Sequence, residues 1–168
     1  YGIADNFELG LRVPFVHRAD TAILAPIAGT SGDPAATIDN SAKGTGIGDI
    51  ELVARYQLTK AGRGRPFLIG NLGLVVPTGS DPFAVPRDNL GRALEAPTGA
   101  GFWSVSPSIT AILPSDPAVL FGTLGYTRNF AREVNTAIPP VIIERVDPGD
   151  SISASVGIGV ALNQRTSF

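Results

Sequence analysis

Residues 49–58 read DIELVARYQL, and the fold class turns on them. The odd positions are Asp49, Glu51, Val53, Arg55 and Gln57; the even positions are Ile50, Leu52, Ala54, Tyr56 and Leu58. Only Val53 interrupts a polar/apolar alternation of period two, the spacing at which side chains alternate between the faces of a strand. A helix competes, because Ile50, Val53, Ala54 and Leu58 fall at helical spacing. Wound at about 100° per residue, however, it would leave Leu52 and Tyr56 among the charges. The stretch therefore predicts a strand with one apolar and one polar face.

Working outward, five more segments show the same period. Residues 7–15 set Phe7, Leu9, Leu11, Val13 and Phe15 against Glu8, Gly10, Arg12 and Pro14. Leu68, Gly70, Leu72, Leu74 and Val76 oppose Ile69, Asn71, Gly73 and Val75, less cleanly. Trp103, Val105, Pro107, Ile109 and Ala111 oppose Phe102, Ser104, Ser106, Ser108 and Thr110. Leu120, Gly122, Leu124 and Tyr126 oppose Phe121, Thr123, Gly125 and Thr127. Ile152, Ala154, Val156, Ile158, Val160 and Leu162 oppose Ser153, Ser155, Gly157, Gly159, Ala161 and Asn163. Six strands are predicted, several long enough for the ~9–11 residues that a tilted strand needs to cross a bilayer.

Composition narrows the classes. The 168 residues include 20 Gly and 14 Pro, are 43% hydrophobic and only 17% charged, and carry a formal net charge of −2. Such a balance offers no basic footprint for nucleic acid. Without Cys there is neither a disulfide framework nor a thiolate metal site. Low charge with many apolar residues argues against disorder. No apolar run approaches the ~18 residues of a membrane helix; the longest uncharged stretch, residues 96–115, is broken by Ser, Thr, Pro and Gly. Position 1 is Tyr and Met is absent, which suggests a processed or excerpted piece.

Face chemistry and connection lengths then select an architecture. A soluble sandwich would carry Lys and Glu on its outer face. Here the face opposite the apolar one is mostly Gly, Ser, Thr and Asn, without Lys. Small polar groups suit a barrel interior, and an apolar exterior suits lipid. Connections alternate: long at about 18–44, 79–99 and 129–150, short at 59–65, 114–116 and 164–166. An up-and-down antiparallel sheet puts alternate connections at opposite ends, as outer-membrane barrels do. The expectation is an all-β, up-and-down antiparallel transmembrane β-barrel, one partial domain over residues 1–168 with about six strands, truncated at both ends. The three long connections would be external loops.

Several motifs also resemble a known family. GTGIGDIELVARYQL (44–58), LGLVVPTGSD (72–81), LFGTLGYTRNF (120–130), SASVGIGVALNQRTSF (153–168) and the opening YGIADNFELGLRVPFV (1–16) resemble the outer-membrane barrel family of the MetA pathway of phenol degradation. The Gly-x-Gly-Asp strand start, the Pro-Thr-Gly strand exit and the Asn-x-Arg-Thr-Ser turn carry the resemblance in combination. It implies a bacterial outer-membrane protein that passes small molecules. It brings no catalytic residues, so none is assigned. Family members are longer, with a leader and further strands, so the resemblance also implies an interior piece.

Candidate functional residues follow from the faces. Glu8, Arg12, Asp49, Glu51, Arg55 and Asn71 fall on the face predicted to line the interior. The first two strands would be neighbours, so Arg12 and Arg55 can pair with carboxylates across the sheet. Such a group is either a charged constriction that selects solutes or an ion network filling a narrow interior; six strands favour the second. Tyr56, Trp103 and Tyr126 fall on the apolar face, where aromatic residues anchor at headgroups or simply pack against lipid. GTGIG (44–48) imitates a phosphate loop but opens a strand, so it reads as a glycine turn. His17, the single histidine, reads as a surface residue, and Ser104, Ser106 and Ser108 lack a histidine partner. Arg63 and Arg65 read as turn charges. Apolar stretches at 23–27 and 137–143 (AIPPVII) either extend strands or fold inward as a plug.

These readings lead to a passive outer-membrane channel for small, aromatic or hydrophobic molecules, not an enzyme, with no cofactor or metal. Its partners would be membrane lipid and a small-molecule solute, with no nucleic acid; oligomeric state stays open. A closed structural or adhesive barrel is the alternative.

Overall fold

The computed structural model describes residues 2–24, 38–59, 65–88, 92–115, 117–138, 141–163 and 166–167. Its regular elements are all strands: β1 (Gly2–Ala4), β2 (Phe7–Arg12), β3 (Phe15–Leu24), β4 (Ile38–Ile47), β5 (Ile50–Gln57), β6 (Phe67–Val76), β7 (Ser104–Ser115), β8 (Ala118–Asn129), β9 (Arg132–Ile138), β10 (Val141–Val146), β11 (Ser151–Asn163) and β12 (Thr166–Ser167). Among the described residues no helix is long and apolar enough to cross a membrane, which has no bearing on crossing by strands.

Eight strands form one sheet in the order β1-β2-β5-β6-β7-β8-β11-β12, every pair antiparallel. The two remaining pairs, β3-β4 and β9-β10, are hairpins. Each prolongs a pair of the large sheet, β2-β5 and β8-β11, so the described strands make an up-and-down meander. The six strands expected from period two correspond to β2, β5, β6, β7, β8 and β11.

The ladder puts side chains in rows. Glu8, Arg55, Asn71, Ser108, Gly125 and Ser153 lie opposite one another in turn, as do Gly10, Val53, Gly73 and Ser106. On the other face run Leu9, Ala54, Leu72 and Pro107, then Phe7, Tyr56, Gly70, Ile109, Leu124 and Ala154. The two faces stay distinct through this middle part of the sheet because residues paired across a ladder project to the same side.

The apolar face is left uncovered. Leu11 is 67% exposed, Ile152 78% and Val156 92%. The buried apolar residues among the described ones are Ala42, Val85 and Ala96, all at the end of the long connections. A water-soluble domain would bury such side chains at about 1.5–3 kcal/mol each. Among the described residues no second layer does so here.

Two of the three connections expected as loops are largely strand: residues 18–24 and 38–44 continue β3 and β4, and 132–138 and 141–146 form β9 and β10. The period-two signal fades there because neither face of these hairpins is consistently apolar. The stretch AIPPVII takes the extension reading, with Ala137 opposite Ile142 and Val141 opposite Ile138; residues 139–140 lie outside the described residues. Ile23 belongs to β3, and residues 25–27 also lie outside. Arg63 falls among the residues not described, and the turn at 164–165 does too.

The junctions are irregular for a reason. Between β2 and β3 stand Val13 and Pro14, while Gly48 and Asp49 and the first residue of β5 stand opposite. Three residues against two make a bulge, which kinks a ladder and re-aims a side chain. Pro14 has no N–H for the ladder, yet its carbonyl accepts the Gly48 N–H at 2.8 Å.

Candidate functional site

The bulge gives the candidate site its geometry. It orphans the Gly48 carbonyl and the Ile50 N–H, and one hydroxyl satisfies both: Thr78 Oγ1 donates to Gly48 O at 2.8 Å and accepts from Ile50 N at 3.0 Å. The Asp49 carboxylate accepts the Gly79 N–H at 3.0 Å and the Ala100 N–H at 2.7 Å. Thr98 completes the clasp. Its N–H donates to Ser80 Oγ at 2.8 Å, its Oγ1 accepts from Ser80 N at 2.9 Å, and Oγ1 donates to the Ile47 carbonyl at 2.9 Å. Two Pro-Thr-Gly tripeptides, 77–79 and 97–99, thus close on the Gly48-Asp49 bulge from opposite ends of one connection.

Glycine is required where these backbones meet. A Cβ on Gly79 or Gly99 would overlap the other's main chain or the Asp49 carboxylate, and one on Gly44 would overlap the Ala96 carbonyl. A Cβ at Gly44 would meet Ala96 and one at Gly46 Thr98, while one at Gly48 would meet Val16, Pro14 and the Thr98 carbonyl. Counted along β2 and β3 these glycines face the side that carries Glu8 and Arg12, so the β6–β7 connection lies along the polar side of the β3-β4 hairpin. GTGIG, which imitates an anion loop in sequence, is a flat track for this strap. The Ala96 N–H donates to Lys43 O at 3.2 Å beside the Lys43–Glu95 bridge.

The strap has its own small core and a second anchor. Val85 and Ala96 are buried, and Phe83 meets Phe102 edge-on at 5.9 Å. Asp81 Oδ2 pairs with Arg132 Nη1 of β9 at 2.5 Å, and the same guanidinium donates to Gly101 O at 3.0 Å. One connection therefore stitches both long hairpins together.

The residues expected on the polar face separate into two groups. Arg55 pairs with Glu8 at 2.8 Å and Arg12 more loosely with Glu51 at 3.3 Å. All four side chains are more than a third exposed, where such pairs contribute about 0–1 kcal/mol. Asn71 lies in the Arg55 row and donates to Thr110 at 3.4 Å. Asp49 stands apart from these pairs, its carboxylate bonded to the strap amides of Gly79 and Ala100 instead. Tyr56, Trp103 and Tyr126 all lie on the apolar face, 46%, 48% and 40% exposed. Tyr56 tilts against Phe7 with ring centres 6.5 Å apart. His17 contacts Thr45 Oγ1 at 2.7 Å on the hairpin surface.

At the β8–β11 junction Asp150 bridges the interrupted ladder. It accepts the Tyr126 hydroxyl, and the Asn129 N–H at 3.2 Å, while Asn129 Nδ2 donates to Gly149 O at 2.7 Å. Gly149 takes the left-handed φ of 73° that this turn needs. The Tyr126 hydroxyl, followed by the Asn129 N–H and the Arg128 charge, holds the Asp150 carboxyl below its ordinary pKa. Thr78, Thr98, Asp81 and Arg132 were missed by strand periodicity, although the repeated Pro-Thr-Gly was a visible signal.

An all-β antiparallel meander with one uncovered apolar face, one hydroxyl-rich face and a strapped end defines the class. Residues 6–168 match the family described as "Putative MetA-pathway of phenol degradation". The chain belongs to that family.

Two outcomes follow. Replacing Asp49 with Ala removes the acceptor of two amides and should weaken strap closure by about 2 kcal/mol. Gly79 and Ala100 amides should then exchange about thirtyfold faster by hydrogen–deuterium exchange, with the Leu124 amide unchanged. Since the Asp150 pKa is depressed on folding, its bridge is fully present above the unfolded value of 3.8 and is lost as pH falls through the lower folded value. Asn129 amide exchange followed across that window should show protection persisting below pH 3.8, and Asp150→Asn should abolish that pH dependence.

Proposed function

We propose that this chain forms part of the wall of a bacterial outer-membrane β-barrel that passes small, predominantly uncharged molecules by diffusion, without catalysis, cofactor or energy coupling. One observation carries the reading: apolar rows stand exposed across the sheet while the middle rows of the opposite face are mostly Gly, Ser, Thr and Asn. Lipid is the solvent that suits the first, and water in a channel suits the second. Lipid also disfavours open sheet edges, so the strands close with others into a barrel. Tyr56, Trp103 and Tyr126 then serve as headgroup anchors. Family membership supports a connection with aromatic compounds, which a small-molecule channel supplies most simply.

A closed barrel is the second reading, favoured by the mutual neutralisation of Arg12 with Glu51 and Arg55 with Glu8 and by the strap on the polar side. Swelling of liposomes reconstituted with the intact protein separates the two. Entry of arabinose, or naphthalene uptake by cells that depends on the protein, supports the channel; neither supports the closed barrel. Recovery as a folded monomer without detergent contradicts both. If the ion pairs constrict the channel, Arg12→Leu with Arg55→Leu should change single-channel conductance in KCl by about twofold or more and shift selectivity toward cations. Unchanged conductance and selectivity would leave the pairs a structural role.

A further inference from the structure

The polar face is not polar along its whole length. From the long-connection end its rows run through Ser106 and Thr127, whose hydroxyls meet at 2.9 Å, to Thr110 and Thr123, which meet at 3.0 Å. One row further toward the tight turns, the same face changes character. Phe67 lies opposite Ile112, Ile112 opposite Phe121, and Phe121 opposite Gly157. The next row places Val119 opposite Gly159. Phe121 stays 48% exposed, so it is not consumed by the packing of the sheet. Gly157 is part of this arrangement, because a Cβ there would overlap the Phe121 ring; the ring lies across the glycine, with its other surface free.

We infer that Phe67, Ile112 and Phe121 form an apolar step at the tight-turn end of the conduit, which admits small apolar solutes, aromatic hydrocarbons among them, and holds back hydrated ions. The inference rests on the polar face being a lumen, as proposed above. Two physical facts carry it. An apolar constriction disfavours a continuous water column, so ions that cannot shed their hydration are stopped. An apolar solute loses nothing there and gains contact with an exposed aromatic ring. The charged pairs Glu8–Arg55 and Arg12–Glu51 lie two or more ladder rows away toward the other end, so solute meets the two environments in sequence.

The test uses the intact protein with Phe121→Ser plus Ile112→Ser, and Phe121→Leu as the conservative control. Heat-modifiable gel migration establishes that each variant is folded, and Phe121→Ser alone substitutes if the double variant is not. KCl conductance in planar bilayers should rise about fivefold in the serine variant and stay at the parental level in the leucine one. Uptake of naphthalene by cells producing the serine variant should fall about threefold below the parent. A rise in conductance with undiminished naphthalene uptake would overturn the inference, leaving these residues as mere filling of a narrow end. Unchanged values in both measurements would overturn it as well. A parent that carries neither KCl, arabinose nor naphthalene would instead contradict the channel reading itself.

Discussion

A sheet that presents exposed leucine, isoleucine and valine along one whole face has to remove that face from water, and the rest of the molecule is organised around this constraint. Among the described residues no second layer covers it, and the buried apolar ones lie in the strap region. The middle of the opposite face is lined mostly with small side chains, with hydroxyls bonded to each other across the ladder. Lipid outside and water inside fit both faces, whereas a sandwich fits neither.

Once the apolar rows are assigned to lipid, the ends of the strands become the places where polar structure concentrates. The bulge opposite Pro14 interrupts the ladder, and the backbone groups it frees are taken up by Thr78 and by the Asp49 carboxylate's grip on the strap. The same logic recurs at the other hairpin, where Asp150 and Asn129 replace missing ladder bonds. Asp81 and Arg132 join the two regions through the strap. At these strand ends side-chain hydrogen bonds and close glycine packing tie the hairpins to the strap, where little apolar area is buried among the described residues.

Much of this was legible in the sequence because a one-sided environment leaves a period-two record. DIELVARYQL and its five companions located the sheet strands, and the Glu8–Arg55 pair followed from placing two of them side by side. The hairpins β3-β4 and β9-β10 were not legible, because neither of their faces is consistently apolar and no alternation is imposed on them. Asp49 falls by parity on the polar row, but its bonds to two strap amides 30 and 51 residues away had no local signal. GTGIG reads as a turn in sequence; its first glycine, Gly44, is needed because the Ala96 main chain passes where a side chain would be. The salt bridge from Asp81 to Arg132 left no local pattern at all.

The central claim is that the two faces of this sheet meet different solvents. The chain contains no cysteine, so single cysteines at Thr123 and Leu124 can each carry a fluorophore in the reconstituted intact protein. The account predicts that brominated lipid quenches the label at Leu124 and spares the one at Thr123, while aqueous iodide does the reverse. Equal quenching of both labels by iodide, with no effect of brominated lipid, would contradict it.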